Sequence, residues 1–157
     1  MTIGISSAAL QQIRAEAAAT EWEICGLLFG AADQIEEACA CANVAADPAS
    51  RFEIDPVALL AAHRAMRAGG PQLVGCYHSH PGGSARPSPR DAAAAAPDGM
   101  IWLIAAGGDV TAWRAVEAGP VAGRFAPIAL DVMPPGCVGA AVSPERSHIE
   151  TLGKGAA

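Results

Sequence analysis

The sequence predicts an α+β or mixed-sheet α/β domain. Short apolar runs bounded by glycine or turn residues alternate with segments of helical spacing, and they do so without a strict βαβ rhythm. The 157 residues suffice for one domain with a real core. No internal repeat interrupts that reading.

The elements follow in chain order. Ser6 or Ser7 can cap a first helix, on which Leu10, Ile13 and Ala17 recur at helical spacing. Glu23 to Gly30, EICGLLFG, is short, apolar and bounded by glycine, which suits a buried strand. Gln34 to Val44 reads as its return strand, with Ala31 to Asp33 turning between them. Asp55-Pro56 starts a helix as cap and first-turn proline, and Gly69-Gly70 stops it. Val57, Leu59, Leu60 and Met66 are its expected core residues. GGPQLVGCY reads as a buried strand leading to His78, and Pro89 to Ala96 as an alanine-rich helix. Ile101 to Ala106 and Val110 to Glu117 form an expected hairpin around Gly107-Gly108-Asp109, and Gly123 to Val132 a last strand. From Met133 onward proline, glycine and small polar residues dominate. Residues 1–132 are therefore read as the domain and 133–157 as a tail, with a short helix near Pro144 to Leu152.

Charge and composition exclude several classes. The net charge is −6, charged residues are 17% of the chain, and no run of lysine or arginine occurs. That argues against a dedicated nucleic-acid partner. No apolar run reaches the roughly 18 residues of a membrane span, and the first residues lack a signal-peptide pattern. Five cysteines (Cys25, Cys39, Cys41, Cys76, Cys137) are an odd number without framework spacing, so the expectation is a cytoplasmic protein with reduced thiols.

The chemistry concentrates in HSHPGGSARPSPRD, His78 to Asp91. Alternate residues of a strand face the same side, so His78 and His80 can converge on one metal ion. A Gly-, Pro- and Ser-rich loop follows, and Ser88-Pro89-Arg90 opens a helix with Asp91 on its first turn. Two histidines and a carboxylate, with a fourth position for water, are the donor set of a catalytic zinc site.

Ordinary roles compete at each residue. Ser88 to Asp91 is also a capping-box pattern, so Asp91 has two claims on one carboxylate. Ser88 is a helix cap, an oxyanion donor, or both; no base–orienter pair accompanies it as a nucleophile. His63 reads as a packed or half-exposed structural residue, and His148 as a solvated tail residue. Cys39 and Cys41 read as ordinary thiols, since no second pair lies near. A base is also needed. Spacing alone leaves Glu21 and Glu23 open, while Glu36, Glu37 and Glu53 read as surface charges.

The chain resembles the JAB/MPN metallopeptidases, whose JAMM motif is an upstream glutamate, then His-x-His, seven residues, Ser, two residues and Asp. His78, His80, Ser88 and Asp91 match that spacing in full. Glu23 before ICGLLFG fits the family's E-x-x-x-L-L-x-G register, whereas Glu21 is two residues out. RFEIDP (51–56) and VGCYHSHP (74–81) look like the small bacterial members, and the resemblance spans roughly residues 3–132. It implies a curved mixed β-sheet flanked by helices, akin to the cytidine deaminase fold. It further implies one zinc ion on His78, His80 and Asp91 with water as fourth ligand, Glu23 as general base and Ser88 as oxyanion donor. The implied reaction is peptide or isopeptide hydrolysis after the C-terminal glycine of a ubiquitin-like or sulfur-carrier (ThiS/MoaD-like) protein.

Three other readings fit the sequence less well. A non-catalytic MPN scaffold usually lacks a ligand, and none is missing here. A zinc deaminase needs C-x-x-C, which is absent. A RadC-like role in DNA metabolism is disfavoured by the acidic charge.

Overall fold

The computed structural model of the chain describes residues 1–135. Cys137, His148 and the helix expected near Pro144–Leu152 lie outside the described residues. In chain order the elements are β1 (Thr2–Ser6), α1 (Ser7–Ala18), β2 (Cys25–Ala31), β3 (Gln34–Cys41) and α2 (Pro56–Arg67). They continue with β4 (Gln72–Ser79), α3 (Pro89–Ala94), β5 (Ile101–Ala106), β6 (Asp109–Gly119) and β7 (Gly123–Met133). No helix among the described residues is long and apolar enough to cross a membrane.

The sheet is mixed and curves until it closes, in the order β1-β3-β2-β4-β5-β6-β7. β1 runs parallel to both β3 and β7, and β4 parallel to β5; the remaining pairs are antiparallel. Closure depends on β1, which the sequence reading overlooked. Thr2 to Ser6 is five residues long, but Ile3 and Ile5 alternate onto the core face and are fully buried. β7 ends at Met133, one residue beyond the expected domain boundary.

α1 packs on the concave side. Its Leu10 and Ile13 join one core cluster with residues from all seven strands, among them Ile3, Leu28, Ile35, Tyr77, Leu103, Ala112 and Ile128. Ser6 is the cap: its hydroxyl accepts from Ala9 N at 3.1 Å and donates to the Glu36 carbonyl at 2.7 Å. Gly26 lets the Tyr77 ring lie across β2, because a Cβ there would overlap the ring. The Tyr77 hydroxyl then donates to Glu16 of α1 at 2.7 Å. The β5–β6 hairpin closes on Gly107 and Gly108, both at positive φ (58° and 87°), the geometry of a tight two-residue turn.

On the convex side lie two smaller clusters. Trp102, Trp113 and Phe125 pack with Ala95 beneath α3. Leu27 and Leu73 receive α2 through Ala62, with Met66 packed against them. Of the core residues expected on α2, only Met66 is packed; Val57, Leu59 and Leu60 are 74%, 36% and 47% exposed. The reason is the narrowness of the contact. The helix docks through a stripe spaced four residues apart (Ala58, Ala62, Met66), and the three larger residues fall beside it.

Candidate metal centre

β4 carries the first ligand. His78 pairs with Cys25 on β2 and Ile104 on β5, and it is wholly buried. Its ring stacks on Phe52 (centroids 4.2 Å apart, planes 20° apart) and meets the edge of Trp102 at 5.8 Å. His78 Nδ1 is buried without a hydrogen-bond partner among the described residues, so on that side of the ring stacking does the orienting. His80 lies one residue past the strand, where its N–H extends the ladder to the Ala105 carbonyl at 2.9 Å. Its Nδ1 sits 2.9 Å from the Ser84 carbonyl. A carbonyl only accepts, so Nδ1 carries the proton and Nε2 keeps its lone pair for a ligand.

The loop then delivers Asp91. Ser88 and Asp91 form the complete capping box: Asp91 N donates to Ser88 Oγ at 3.1 Å, and Ser88 N donates to Asp91 Oδ2 at 2.7 Å. The same carboxylate reaches both rings, with Oδ1 3.1 Å from His78 Nε2 and Oδ2 3.2 Å from His80 Nε2. Cap and ligand positions therefore coexist, against the expectation that they compete. The cap faces the backbone, and the remaining lone pairs face the histidines.

The two Nε2 atoms are 3.0 Å apart, each faces its own oxygen of the carboxylate, and one ligand atom from each of the three residues lies within 4.8 Å of the others. Three ligands about 2.0–2.1 Å from a tetrahedral ion stand roughly 3.3 Å from one another. The donor set fits such an ion in chemistry, and its two nitrogens fit in spacing. Among the described residues, His78, His80 and Asp91 are also the one group of three or more His, Cys, Asp or Glu side chains so arranged.

The electrostatics are consistent with that geometry. Burial opposes ionisation of Asp91, but His78 and His80 when protonated, together with the Ser88 N–H, outweigh it and hold the carboxyl far below its usual range. Burial lowers the His78 pKa, while the bond to Asp91 raises that of His80.

Glu23 is half-buried in a cleft of about 620 Å³ that it shares with Phe52, His80, Ser88 and Asp91. Burial raises its pKa, with His80 pulling the other way and Asp91 adding to the rise. Glu21 instead lines a cleft of about 300 Å³ on the far side of His80, away from Ser88 and Asp91. Glu36, Glu37 and Glu53 are exposed, as expected, and His63 is half-exposed. Cys39 is exposed and Cys41 half-buried, and among the described residues neither belongs to a group of three such donors.

Four residues at the site escaped the sequence reading: Phe52, Asn43, Ser79 and Thr111. Ser79 Oγ accepts from Ile24 N at 2.9 Å, tying the strand entrance at Glu23 to the histidine strand. Thr111 donates to the Ala85 carbonyl, anchoring the loop beside the acceptor of His80, and receives Trp113 Nε1 at 2.9 Å. Nothing in their spacing marks them, since each acts through a residue distant in sequence.

The sequence profile of the prokaryotic homologs of the JAB domain matches residues 6–116. The chain belongs to this family. Among its relatives, a desampylase of Haloferax volcanii is 37% identical over 84 residues, covering 52% of this chain and 60% of the relative. A probable TtuB-protein conjugate cleaving protease of Thermus thermophilus is 41% identical over 64 residues, covering 41% of this chain and 43% of the relative. The matches thus span less than two thirds of either relative. A solution structure from Desulfitobacterium hafniense superposes with a TM-score of 0.69 at 25% identity, over 85% of this chain and 94% of the other. In this chain the fold brings His80, Ser88, Asp91 and Glu23 to one cleft, with His78 buried behind it.

Proposed function

We propose that the chain is a cytoplasmic, zinc-dependent peptidase or isopeptidase. It cuts the bond after the C-terminal glycine of a ubiquitin-like or sulfur-carrier protein. One observation carries the reading: His80 and Asp91, which close on the buried His78, open into the same cleft as the half-buried Glu23. The names of the two relatives, a desampylase and a conjugate-cleaving protease, support a protein conjugate as substrate. Free thiols among the described cysteines are in keeping with a reducing compartment.

His78, His80 and Asp91 hold the ion in this reading. Bound zinc supplies a lowered pKa for water, to about 7, and polarises the scissile carbonyl. Glu23 accepts a proton from the attacking water and returns it to the departing amine; its raised pKa brings it nearer the range where a carboxyl can do both. Ser88 accepts the Asp91 N–H with a lone pair, which leaves its hydroxyl proton to donate to the developing oxyanion. No side chain is acylated.

The test is incubation of the zinc-loaded chain with ubiquitin-like and sulfur-carrier fusions ending in glycine, with products weighed by mass spectrometry. Cleavage directly after the glycine, absent in Glu23→Gln, is the expected result. Cleavage elsewhere, or none with any fusion, refutes the reading.

A further inference from the structure

The base and the metal ligands come from separate parts of the chain, yet residues 43–53 contact Glu23, His78 and the helix that carries Asp91. The Pro48 carbonyl accepts the Glu23 N–H at 2.9 Å. The Ser50 carbonyl accepts from Arg90 Nη1 at 2.8 Å, on the helix that carries Asp91. Phe52 stacks on His78. This loop is the common wall of the cleft.

Its neck is closed by one side chain. Asn43 Nδ2 donates to the Glu23 carbonyl at 2.9 Å and to the Arg51 carbonyl at 3.0 Å. Asn43 Oδ1 accepts from Ala45 N at 3.1 Å and Glu53 N at 3.0 Å. A primary amide offers two N–H donors and two acceptor lone pairs, and here all four are engaged. The partners also fix the amide's orientation, since a flip would set NH₂ against two N–H groups and oxygen against two carbonyls. Val44 N to Glu53 O (2.9 Å) and Asp55 N to Ala42 O (3.3 Å) complete the closure.

Glu23 is thus gripped on both sides of its Cα, its N–H by the loop tip and its carbonyl by the loop neck. Its side chain starts from that clamped backbone and points into the cleft that the loop walls. We propose that Asn43 is a positioning residue for the reaction: it holds the 43–53 loop closed and thereby sets Glu23 against the His80–Asp91 edge of the metal centre. The proposal rests on the reading of Glu23 as the base. Asn43 touches neither ligand atoms nor substrate, so its loss should misplace the proton acceptor while leaving the metal bound.

Asn43→Asp keeps the size and the acceptor but gives up both donors; Asn43→Ser, smaller and keeping one donor, is the second variant. Three quantities are measured on the zinc-loaded proteins: metal content, kcat and KM on a glycine-terminated ubiquitin-like fusion, and amide exchange at Glu23. For Asn43→Asp, kcat should fall about 10–100-fold, the range for outer-shell and orienting residues, with KM within about twofold and metal content unchanged. Exchange of the Glu23 N–H should quicken about tenfold or more as Pro48 lets go. Asn43→Ser should recover part of both effects. A kcat that stays at the wild-type value, or falls only in step with lost zinc, overturns the proposal. So does unchanged exchange at Glu23, or a failure of both variants to fold, which would make Asn43 a folding determinant only. Glu23→Gln in parallel separates the two claims: if it remains active, the base assignment fails, while the exchange measurement still judges the hold of Asn43 on the loop.

Discussion

Two segments frame the metal centre, and they are built on opposite terms. Residues 78–91 place chemistry in side chains: two rings and a carboxylate at fixed spacing, with a capping box that sets the carboxylate while leaving lone pairs for the rings. Residues 43–53 bring only the Phe52 side chain against a metal ligand, and otherwise act through the carbonyls of Pro48 and Ser50 and the side-chain amide of Asn43. Both shape one cleft. The first segment can be read from residue types, because ligand chemistry demands particular atoms. The second cannot, because every residue has a carbonyl and only the fold decides which one faces Glu23.

The largest expected effects lie in the first segment. His80→Ala removes one of the three donors and should abolish stoichiometric metal binding, read by elemental analysis after dialysis. A protein that still holds its metal would move the centre elsewhere. Next is the base. Glu23→Gln should retain metal and lose about 10²–10⁴ in kcat, the usual worth of general-base catalysis. Glu21→Gln, in the other cleft, should stay within about threefold, a negligible part of that same range. A dead Glu21 variant beside an active Glu23 variant would reverse the register.

Effects from the second segment should be graded and smaller. Phe52→Leu keeps an apolar contact but loses the stack that orients His78, and should weaken metal affinity by no more than about 10–100-fold, as outer-shell changes do. An unchanged affinity would show that Trp102 alone suffices. The smallest effect is expected at α2, where Leu60→Gln alters an exposed residue and should change stability by less than about 0.5 kcal/mol in denaturant melts. A large loss there would mean that the exposed face of α2 is covered.

Much of the fold was legible where local chemistry is directional. Asp55-Pro56 started α2, Gly107-Gly108 turned the β5–β6 hairpin, and Leu10 and Ile13 pointed α1 inward. It was illegible where tertiary geometry chooses among equals. Val57, Leu59 and Leu60 are as apolar as any core residue, but α2 meets the sheet along the Ala58–Ala62–Met66 stripe instead. β1 was hidden because five residues give little periodicity, and its worth appears only in closing β3 to β7. At the site, His78, His80, Ser88, Asp91 and Glu23 all reach one region, while Asn43, Ser79 and Thr111 emerged only with the fold.

The central claim is that His78, His80 and Asp91 are one metal-binding unit, and zinc titration of Asp91→Asn against the wild type tests it most directly. Asparagine keeps an oxygen for the Ser88 N–H, so the helix start survives while a carboxylate ligand is lost. The wild type should bind one zinc per chain. The variant should bind at least about 10–100-fold more weakly, since losing a ligand costs no less than losing an outer-shell partner. Equal zinc affinity in the two proteins would contradict the account and leave Asp91 a helix cap alone.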